Sequence, residues 1–196
     1  AMSASQDQIS WSITLNVLAT AIATPLTGSL VSLFGRRFVL IFCSASFTLA
    51  TLACGMCDSL ESLIFFRVLQ GAVGAPLVPL SQATLLQSYP RDMHARVNAI
   101  YGMSVVVGPA LAPSLGGYLS EMYDWRWVFF MMVPLGFLAT IGNLKYVKDD
   151  GKQVGSRFDY LGFTLFSLAI ICLQLVLDRG EREDWLDSIY ITSLLT

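Results

Sequence analysis

The amino-acid sequence predicts an all-α polytopic membrane protein, a bundle of membrane-spanning helices. Of its 196 residues, 55% are hydrophobic and only 13% are charged, whereas soluble domains are about a quarter charged. The charges are clustered and leave six long apolar runs, each close to the length of about 20 residues that a helix needs to cross a bilayer. Strands of a membrane barrel would alternate in polarity, and these runs do not. This composition excludes a disordered chain, a basic nucleic-acid binder and a disulfide-built secreted scaffold.

The six apolar runs give the predicted spans in chain order. They are Ile9–Phe34, Phe38–Met56, Leu60–Tyr89, Val97–Met122, Trp127–Tyr146 and Tyr160–Leu177. A polar loop follows at residues 178–187, and a further apolar run begins at residue 188. Because residues 188–196 are too few to cross a bilayer, we expect the chain to be an internal piece of a larger membrane protein.

The basic residues of the loops predict the orientation of the spans. The first, third and fifth loops hold eight of the 12 lysines and arginines, and the other three loops hold three. Since basic residues concentrate in cytoplasmic loops, we expect the odd-numbered loops in the cytoplasm and the start of the chain outside. The fifth loop, residues 147–158, is longer and more charged. It is predicted to be a cytoplasmic hinge between residues 1–146 and residues 159–196.

Arg67 lies deepest among the charged residues of the predicted spans, seven residues after Leu60 and so about 10 Å along the helix. A charge at this depth is costly unless it is paired or hydrated. The sequence therefore favours a buried guanidinium that faces a polar cavity, where it holds a substrate or helps to move a proton. The alternative is an arginine that extends to the outer headgroups. Gln70 and Gly71 fall near the same helix face, where they can supply a hydrogen bond and a close backbone approach.

Glycines and prolines are concentrated in the fourth predicted span. The fourth span holds Gly108, Pro109, Pro113, Gly116 and Gly117. Such a run would disrupt a soluble helix, but in a membrane bundle neighbouring helices satisfy the freed carbonyls. We therefore expect a kinked helix pressed closely against a partner helix.

The first loop carries two glycines and a basic pair. Gly28 is expected to end one helix, and Gly35 directly precedes Arg36 and Arg37. The basic pair is interpreted either as a cytoplasmic anchor or as a latch between cytoplasmic helix ends.

The remaining candidate groups do not point to catalysis. Cys54 and Cys57 form a CxxC pair that ends an apolar run, without the second pair or strand–helix context of a metal or redox site; they are interpreted as small core residues. His94, the single histidine, is expected in a solvated loop. Because no nucleophile–base pair, metal-ligand cluster or nucleotide motif can be placed at membrane depth, we expect no enzyme, no metal and no cofactor. The net charge of −2 indicates no nucleic-acid partner.

Taken in order, these motifs resemble the major facilitator superfamily, and within it the fourteen-span drug:proton antiporters of the EmrB/QacA type. The superfamily's loop pattern G-x-L-a-D-r-x-G-r-r is matched at Gly28, Leu30, Gly35, Arg36 and Arg37, with Ser32 and Leu33 at the aspartate and first arginine positions. The pattern R-x-x-Q-G is matched at Arg67, Gln70 and Gly71. The antiporter pattern is matched at Gly108, Pro113, Gly116 and Gly117, with Pro109 in the same run and Ala112 replacing a glycine. The chain would then correspond to spans two to seven and the start of span eight.

The resemblance implies a partial superfamily helical bundle and a mechanism. Two six-helix bundles would rock about a central cavity, and inward-moving protons would drive the export of hydrophobic drugs or toxic compounds across the bacterial inner membrane. Arg67 would be linked to proton transfer. The titrating carboxylate would lie outside this chain, since the six spans hold none at their centres. In two-membrane bacteria, EmrB-type pumps work with a periplasmic adaptor and an outer-membrane channel.

Three alternatives stay open beside drug export. They are a superfamily carrier that takes up or exports a specific metabolite, a non-transporting membrane scaffold, and an intramembrane enzyme. The glycine–proline pattern of the fourth span favours an exporter over most uptake carriers, as the resemblance implies. An enzyme would need a nucleophile with a base, or a metal site, within the spans.

Overall fold

The computed structural model describes residues 6–148 and 159–179, and these residues form α-helices without strands. The helices are α1 (Gln6–Ala23), α2 (Leu26–Phe34), α3 (Arg36–Gly55), α4 (Leu60–Gly74), α5 (Leu77–Ser88), α6 (His94–Met122), α7 (Arg126–Tyr146) and α8 (Tyr160–Arg179). A short 3₁₀ turn, Arg91–Met93, links α5 to α6. The all-α prediction is therefore confirmed for the described residues.

Within residues 6–148 and 159–179, four helical segments are long and apolar enough to cross a membrane. They are Arg36–Gly55, Leu60–Ser88, Arg91–Met122 and Arg126–Tyr146. The pair α1 and α2 becomes a fifth if it is counted as one bent span. These segments coincide with the first five predicted spans. The sixth falls on α8, whose described apolar segment Leu161–Gln174 is shorter. Most of the predicted hinge, residues 149–158, and the final apolar run, residues 188–196, lie outside the described residues.

Two predicted spans are interrupted where a proline stands. Pro25 precedes α2 and Pro76 precedes α5. Proline lacks the N–H that an α-helix uses, and its ring clashes with the preceding turn. The first span is consequently bent by 56° between α1 and α2, whereas α4 and α5 still form one segment that is long enough to cross.

The turn between α2 and α3 lies at Gly35, whose φ is 82° and ψ is 149°. Residues that carry a side chain rarely adopt this backbone conformation, so glycine is required there. Gly28 instead lies inside α2, where an added Cβ would meet nothing within 4 Å. The prediction that Gly28 ends a helix is therefore wrong, because the chain reverses at the glycine with positive φ.

Helix α3 is the centre of the bundle, since it packs against both α4 and α7, while α1 packs against α4. Its buried residues include Val39, Leu40, Cys43, Ala50 and Cys54. Cys54 is fully buried, and Cys57 is buried beside the end of the helix. Both thiols are free, in keeping with the interpretation of the CxxC pair as small core residues.

Helices α3 and α7 approach each other closely at glycines. A Cβ added at Gly136 would lie 2.3 Å from Thr48 Oγ1, and one added at Gly55 would lie 2.7 Å from the Phe130 ring. Asn143 Nδ2 donates to Ser44 Oγ at 3.3 Å across the same interface. Small residues at crossings let helix backbones approach in membrane bundles, so this seam holds α7 firmly against α3.

Candidate functional site

A cavity of about 340 Å³ lies between α1, α3, α4 and α7. Its wall combines apolar and aromatic side chains with neutral polar ones and a single cation. The lining residues are Asn16, Thr20, Phe47, Thr51, Arg67, Gln70, Gly71, Gly74, Val128, Phe129 and Met132. The three residues predicted from the third span, Arg67, Gln70 and Gly71, are thus brought together at one cavity.

The Arg67 guanidinium lies over the ring of Phe129, 4.7 Å from its centroid. Its Nη1 is 3.5 Å from Gln70 Oε1, the outer limit of a hydrogen bond. Its Nε is buried and donates to no described residue, and none of the cavity-lining residues is acidic. Because ring contact and a long hydrogen bond do not neutralise a charge, the described part of the chain leaves this cation without an anion.

The side chain of Gln70 is fixed by the neighbouring helix α3. Gln70 is buried, and its Nε2 donates to Thr51 Oγ1 at 2.7 Å. The Thr51 hydroxyl in turn donates to the carbonyl of Phe47 at 2.7 Å. Since the amide nitrogen is committed to Thr51, the amide oxygen is held on the side of Arg67. Thr51 was not predicted as a site residue, although a polar residue inside an apolar run is a usable signal.

Gly71 is the point at which α1 meets α4. A Cβ added there would lie 2.3 Å from the carbonyl oxygen of Asn16 and 3.0 Å from Thr20 Oγ1. Asn16 Nδ2 donates to the carbonyl oxygen of Arg67 at 2.6 Å. The Thr20 hydroxyl lies 3.2 Å from the carbonyl oxygen of Gly71. The close backbone approach predicted for Gly71 is thus present, but its partners on α1 were not predicted.

The basic pair after Gly35 reaches the ends of two other helices. Arg36 Nη1 donates to Gln87 Oε1 in the last turn of α5, and Arg37 Nη2 donates to the carbonyl of Leu144 at 3.0 Å in the last turn of α7. Cations at helix C-termini are favoured by the helix dipole. These contacts join the helix ends, which is the geometry that the latch interpretation requires.

Of the remaining residues of the loop motif, Leu30 packs into the bundle and Gly28 does not. Leu30 contacts the buried cluster of Val39, Leu40, Cys43 and Leu80. Val147, the first residue of the predicted hinge, packs against the same cluster. Gly28 faces open space, so it contributes no contact to this group among the described residues.

The glycine–proline motif of α6 stays apart from the cavity. Pro109 and Pro113 lie inside one helix, and a Cβ added at Gly108, Gly116 or Gly117 would meet nothing within 4 Å. No helix of the described residues therefore presses against these glycines. The expected close packing of this helix stays a prediction.

An ion pair fastens the opposite end of α7. Arg126 Nη2 lies 2.8 Å from Asp58 Oδ1 and 3.0 Å from the carbonyl of Cys57. This ion pair was not predicted, because the spacing of residues in different loops carries no signal of their contact. His94 is half-buried at the start of α6, with Nε2 3.0 Å from the Tyr89 carbonyl. Within the described ranges, no three metal-ligating side chains are clustered.

The chain is similar to known transport proteins. Residues 1–159 match the family described as Major Facilitator Superfamily. Over 95% of the chain, it is 39% identical to "Multidrug export protein EmrB" of Haemophilus influenzae and to the protein of the same name from Escherichia coli K12, and it covers 37% of each. It is 38% identical over 98% of the chain to "Fatty acid resistance protein FarB" of Neisseria gonorrhoeae, of which it covers 38%. The chain therefore spans well under half the length of these relatives.

Proposed function

Because this chain belongs to the Major Facilitator Superfamily, we propose that it forms part of a proton-driven exporter of hydrophobic drugs or related toxic compounds. Similarity to proteins named for multidrug export and fatty acid resistance supports export rather than uptake. The observation that supports the proposal most strongly is a cation, Arg67, at the wall of a cavity that is otherwise neutral and largely apolar. Such a wall suits small molecules that are apolar but carry a polar group.

Arg67, Gln70 and Gly71 form the part of the transport path that lies in this chain. Charges inside a membrane bundle mark substrate and proton pathways. The guanidinium would stabilise negative charge in the cavity, while the hydrogen bond from Gln70 Nε2 to Thr51 Oγ1 holds the Gln70 side chain beside it. The group that binds and releases the proton would belong to a part of the full-length protein outside this chain.

Alternating access assigns roles to the other motifs. Residues 1–146 would belong to the first helical bundle, residues 147–158 would be the cytoplasmic hinge, and residues 159–196 would begin the second bundle. Arg36 and Arg37 would latch the cytoplasmic ends of α5 and α7, and the α6 glycines would pack against a helix outside the described residues. The start of the chain would face outward, and in two-membrane bacteria an adaptor and an outer-membrane channel would complete the route.

Export of a lipophilic dye tests the proposal. The full-length protein is expressed in a bacterial host that lacks its own efflux pumps, and loss of preloaded dye is followed with and without a protonophore. We expect protonophore-sensitive efflux that fails in Arg67→Ala. Arg91→Ala is the matched control, because Arg91 is exposed in the 3₁₀ turn and away from the cavity; its efflux should equal that of the unmodified protein.

Two results would contradict the proposal. Absence of efflux for a panel of dyes and drugs, with the protein present in the membrane, would favour a carrier for a specific metabolite or a non-transporting scaffold. Efflux that is indifferent to the protonophore would exclude proton coupling. Efflux that is unchanged in Arg67→Ala would contradict only the role of Arg67 in the transport path and not the export activity itself.

A further inference from the structure

We propose that the seam between α3 and α7 carries a binding site for an anionic phospholipid. The headgroup phosphate lies at Arg37, Lys145 and Lys148, and the acyl chains lie on the apolar surface that continues from these residues into the membrane. The proposal goes beyond export, because it concerns the side of the seam that faces away from the cavity. It depends neither on proton coupling nor on the compound exported.

Three basic residues lie at the last turn of α7. Arg37 Nη2 donates to the carbonyl oxygen of Leu144 at 3.0 Å, so the guanidinium reaches the residue that precedes Lys145. Lys148 follows the end of α7 at Tyr146 by two residues. Both lysines are exposed, and none of the three basic residues forms an ion pair with a residue that the structure describes. Such uncompensated positive charge at the end of a membrane helix attracts anionic headgroups.

Helices α3 and α7 run antiparallel, so their seam has two sides that are easily distinguished. Arg37, at the start of α3, reaches the end of α7, whereas Gly55, at the end of α3, lies against the Phe130 ring near the start of α7. One side of the seam faces the cavity, because Phe47 of α3 and Met132 of α7 both line it. The other side faces away from the cavity.

Four large apolar side chains turn to the side that faces away from the cavity. On each helix they lie about 100–140° round from the residue at the seam, Arg37 on α3 and Gly136 on α7, and the cavity residues lie round the opposite way. Equal rotations on two antiparallel helices point to the same side of their seam. The four residues, each about half exposed, are Phe38 and Phe42 on α3 and Phe137 and Ile141 on α7.

Aromatic rings extend this apolar surface from the basic end of the seam. The Phe38 ring stacks on that of Phe42 with 6.0 Å between centroids, and it lies 5.8 Å from the Phe34 ring. In alternating access the second helical bundle closes over the cavity, which lies on the opposite side of the seam. Lipid therefore covers these rings, and the acyl chains of a lipid whose headgroup is held at Arg37 run along them.

The charges select the headgroup of that lipid. A guanidinium binds phosphate through paired, charge-assisted hydrogen bonds, and Arg37 spends one nitrogen on Leu144. A zwitterionic lipid brings its own cation to the same place, where the two lysines repel it. A net anionic headgroup avoids this repulsion, and each lysine or arginine near it contributes about fivefold in affinity.

Native mass spectrometry of the full-length protein in detergent tests the headgroup preference. Phosphatidylglycerol and phosphatidylcholine with the same acyl chains are titrated separately, and the affinity of the most tightly bound lipid is measured. The variants are Arg37→Gln and the combined Lys145→Gln and Lys148→Gln. The control is Arg91→Gln, which removes an exposed cation in the turn between α5 and α6, on the same predicted side of the membrane.

We expect the unmodified protein and Arg91→Gln to bind phosphatidylglycerol at least about fivefold more tightly than phosphatidylcholine. The combined lysine variant should lose about 5- to 25-fold in affinity for phosphatidylglycerol, the effect of two cations, and Arg37→Gln about fivefold. Affinity for phosphatidylcholine should not fall in either variant.

Tryptophan placed at Phe42 tests where the acyl chains lie. Phe42→Trp is studied in nanodiscs of the full-length protein that contain a small fraction of phosphatidylglycerol or phosphatidylcholine with brominated chains, which quench tryptophan on contact. The emission of the unmodified protein is subtracted. The control is Leu165→Trp, an exposed position about as far from the start of α8 as Phe42 is from that of α3. Brominated phosphatidylglycerol should quench more than brominated phosphatidylcholine at position 42 and equally at position 165.

Four results would overturn the inference. They are equal affinity of the unmodified protein for the two lipids, a preference that survives in the combined lysine variant, an equal loss in Arg91→Gln, and quenching at position 42 that does not distinguish the lipids. If Arg37→Gln fails to fold, the exposed lysines decide the matter. Lipid binding requires no transport, so dye efflux can fail while the lipid site stands, and the reverse can also occur.

Discussion

Replacement of Gly71 by alanine should separate α1 from α4. The added Cβ would lie 2.3 Å from the carbonyl oxygen of Asn16, and ordinary van der Waals contact begins at 3.4 Å. The obstacle is backbone rather than the end of a flexible side chain, so a rotamer change cannot relieve it. Helix α1 has to retreat by about 1 Å, which also stretches the hydrogen bond between Thr20 and Gly71; overpacking of this kind is the expected cause of destabilisation.

The magnitude follows from two opposing effects. Overpacking in a close-packed interior costs about 1–3 kcal/mol, and a backbone clash belongs to the upper part of that range. Alanine gains up to about 1 kcal/mol over glycine in a helix. The net result for Gly71→Ala is a loss of about 1–2 kcal/mol in the free energy of unfolding.

Reversible unfolding of the full-length protein in mixed micelles with increasing SDS, followed by tryptophan fluorescence, measures this loss. The matched control is Gly102→Ala, because Gly102 is exposed on α6 and an added Cβ meets nothing within 4 Å. The free energy of unfolding of this control should rise by about 0.5–1 kcal/mol. Equal stability of the two variants would refute the close approach of α1 to α4.

The same unfolding measurement checks three further predictions. Gly35→Ala should lower the free energy of unfolding by about 1–3 kcal/mol, because alanine rarely adopts the φ of 82° found at this residue. Gly28→Ala is the control and should not lower it. Equal effects of the two variants would show that the turn does not need a positive φ. Gly136→Ala should destabilise by about 1–3 kcal/mol through its contact with Thr48, and adding Thr48→Ala should restore part of the loss, whereas strict additivity would place the clash elsewhere. Arg126→Gln should cost less than about 1 kcal/mol, since the ion pair is solvent-exposed, and the cost should shrink at high salt.

The helices could be predicted from the sequence, but their interruptions could not. Long apolar runs satisfy the length and hydrogen-bonding demands of a bilayer, and this requirement is local. Prolines are different, since Pro25 and Pro76 stand at breaks whereas Pro109 and Pro113 lie inside one helix. Whether a proline breaks a membrane helix depends on which neighbours satisfy the freed carbonyl, and the neighbours are set by the tertiary structure.

The candidate site was predictable on one helix and not across helices. The spacing of Arg67, Gln70 and Gly71 places them near one face of α4, and the structure brings all three to the cavity. Their partners Asn16 and Phe129 come from other helices, about 50 and 60 residues away along the chain. A polar or aromatic residue in an apolar span does not reveal which helix it meets, because both faces of the span are apolar.

Transport by the purified full-length protein in liposomes tests the central claim most directly. A lipophilic dye is placed outside liposomes, and a pH gradient is imposed with the interior acidic, so that outward-moving protons drive dye inward through molecules of either orientation. We expect dye accumulation that requires the gradient and that falls to the level of empty liposomes in Arg67→Ala, with Arg91→Ala unaffected. Accumulation without a gradient, or none at all by correctly folded protein, would contradict a proton-driven exporter.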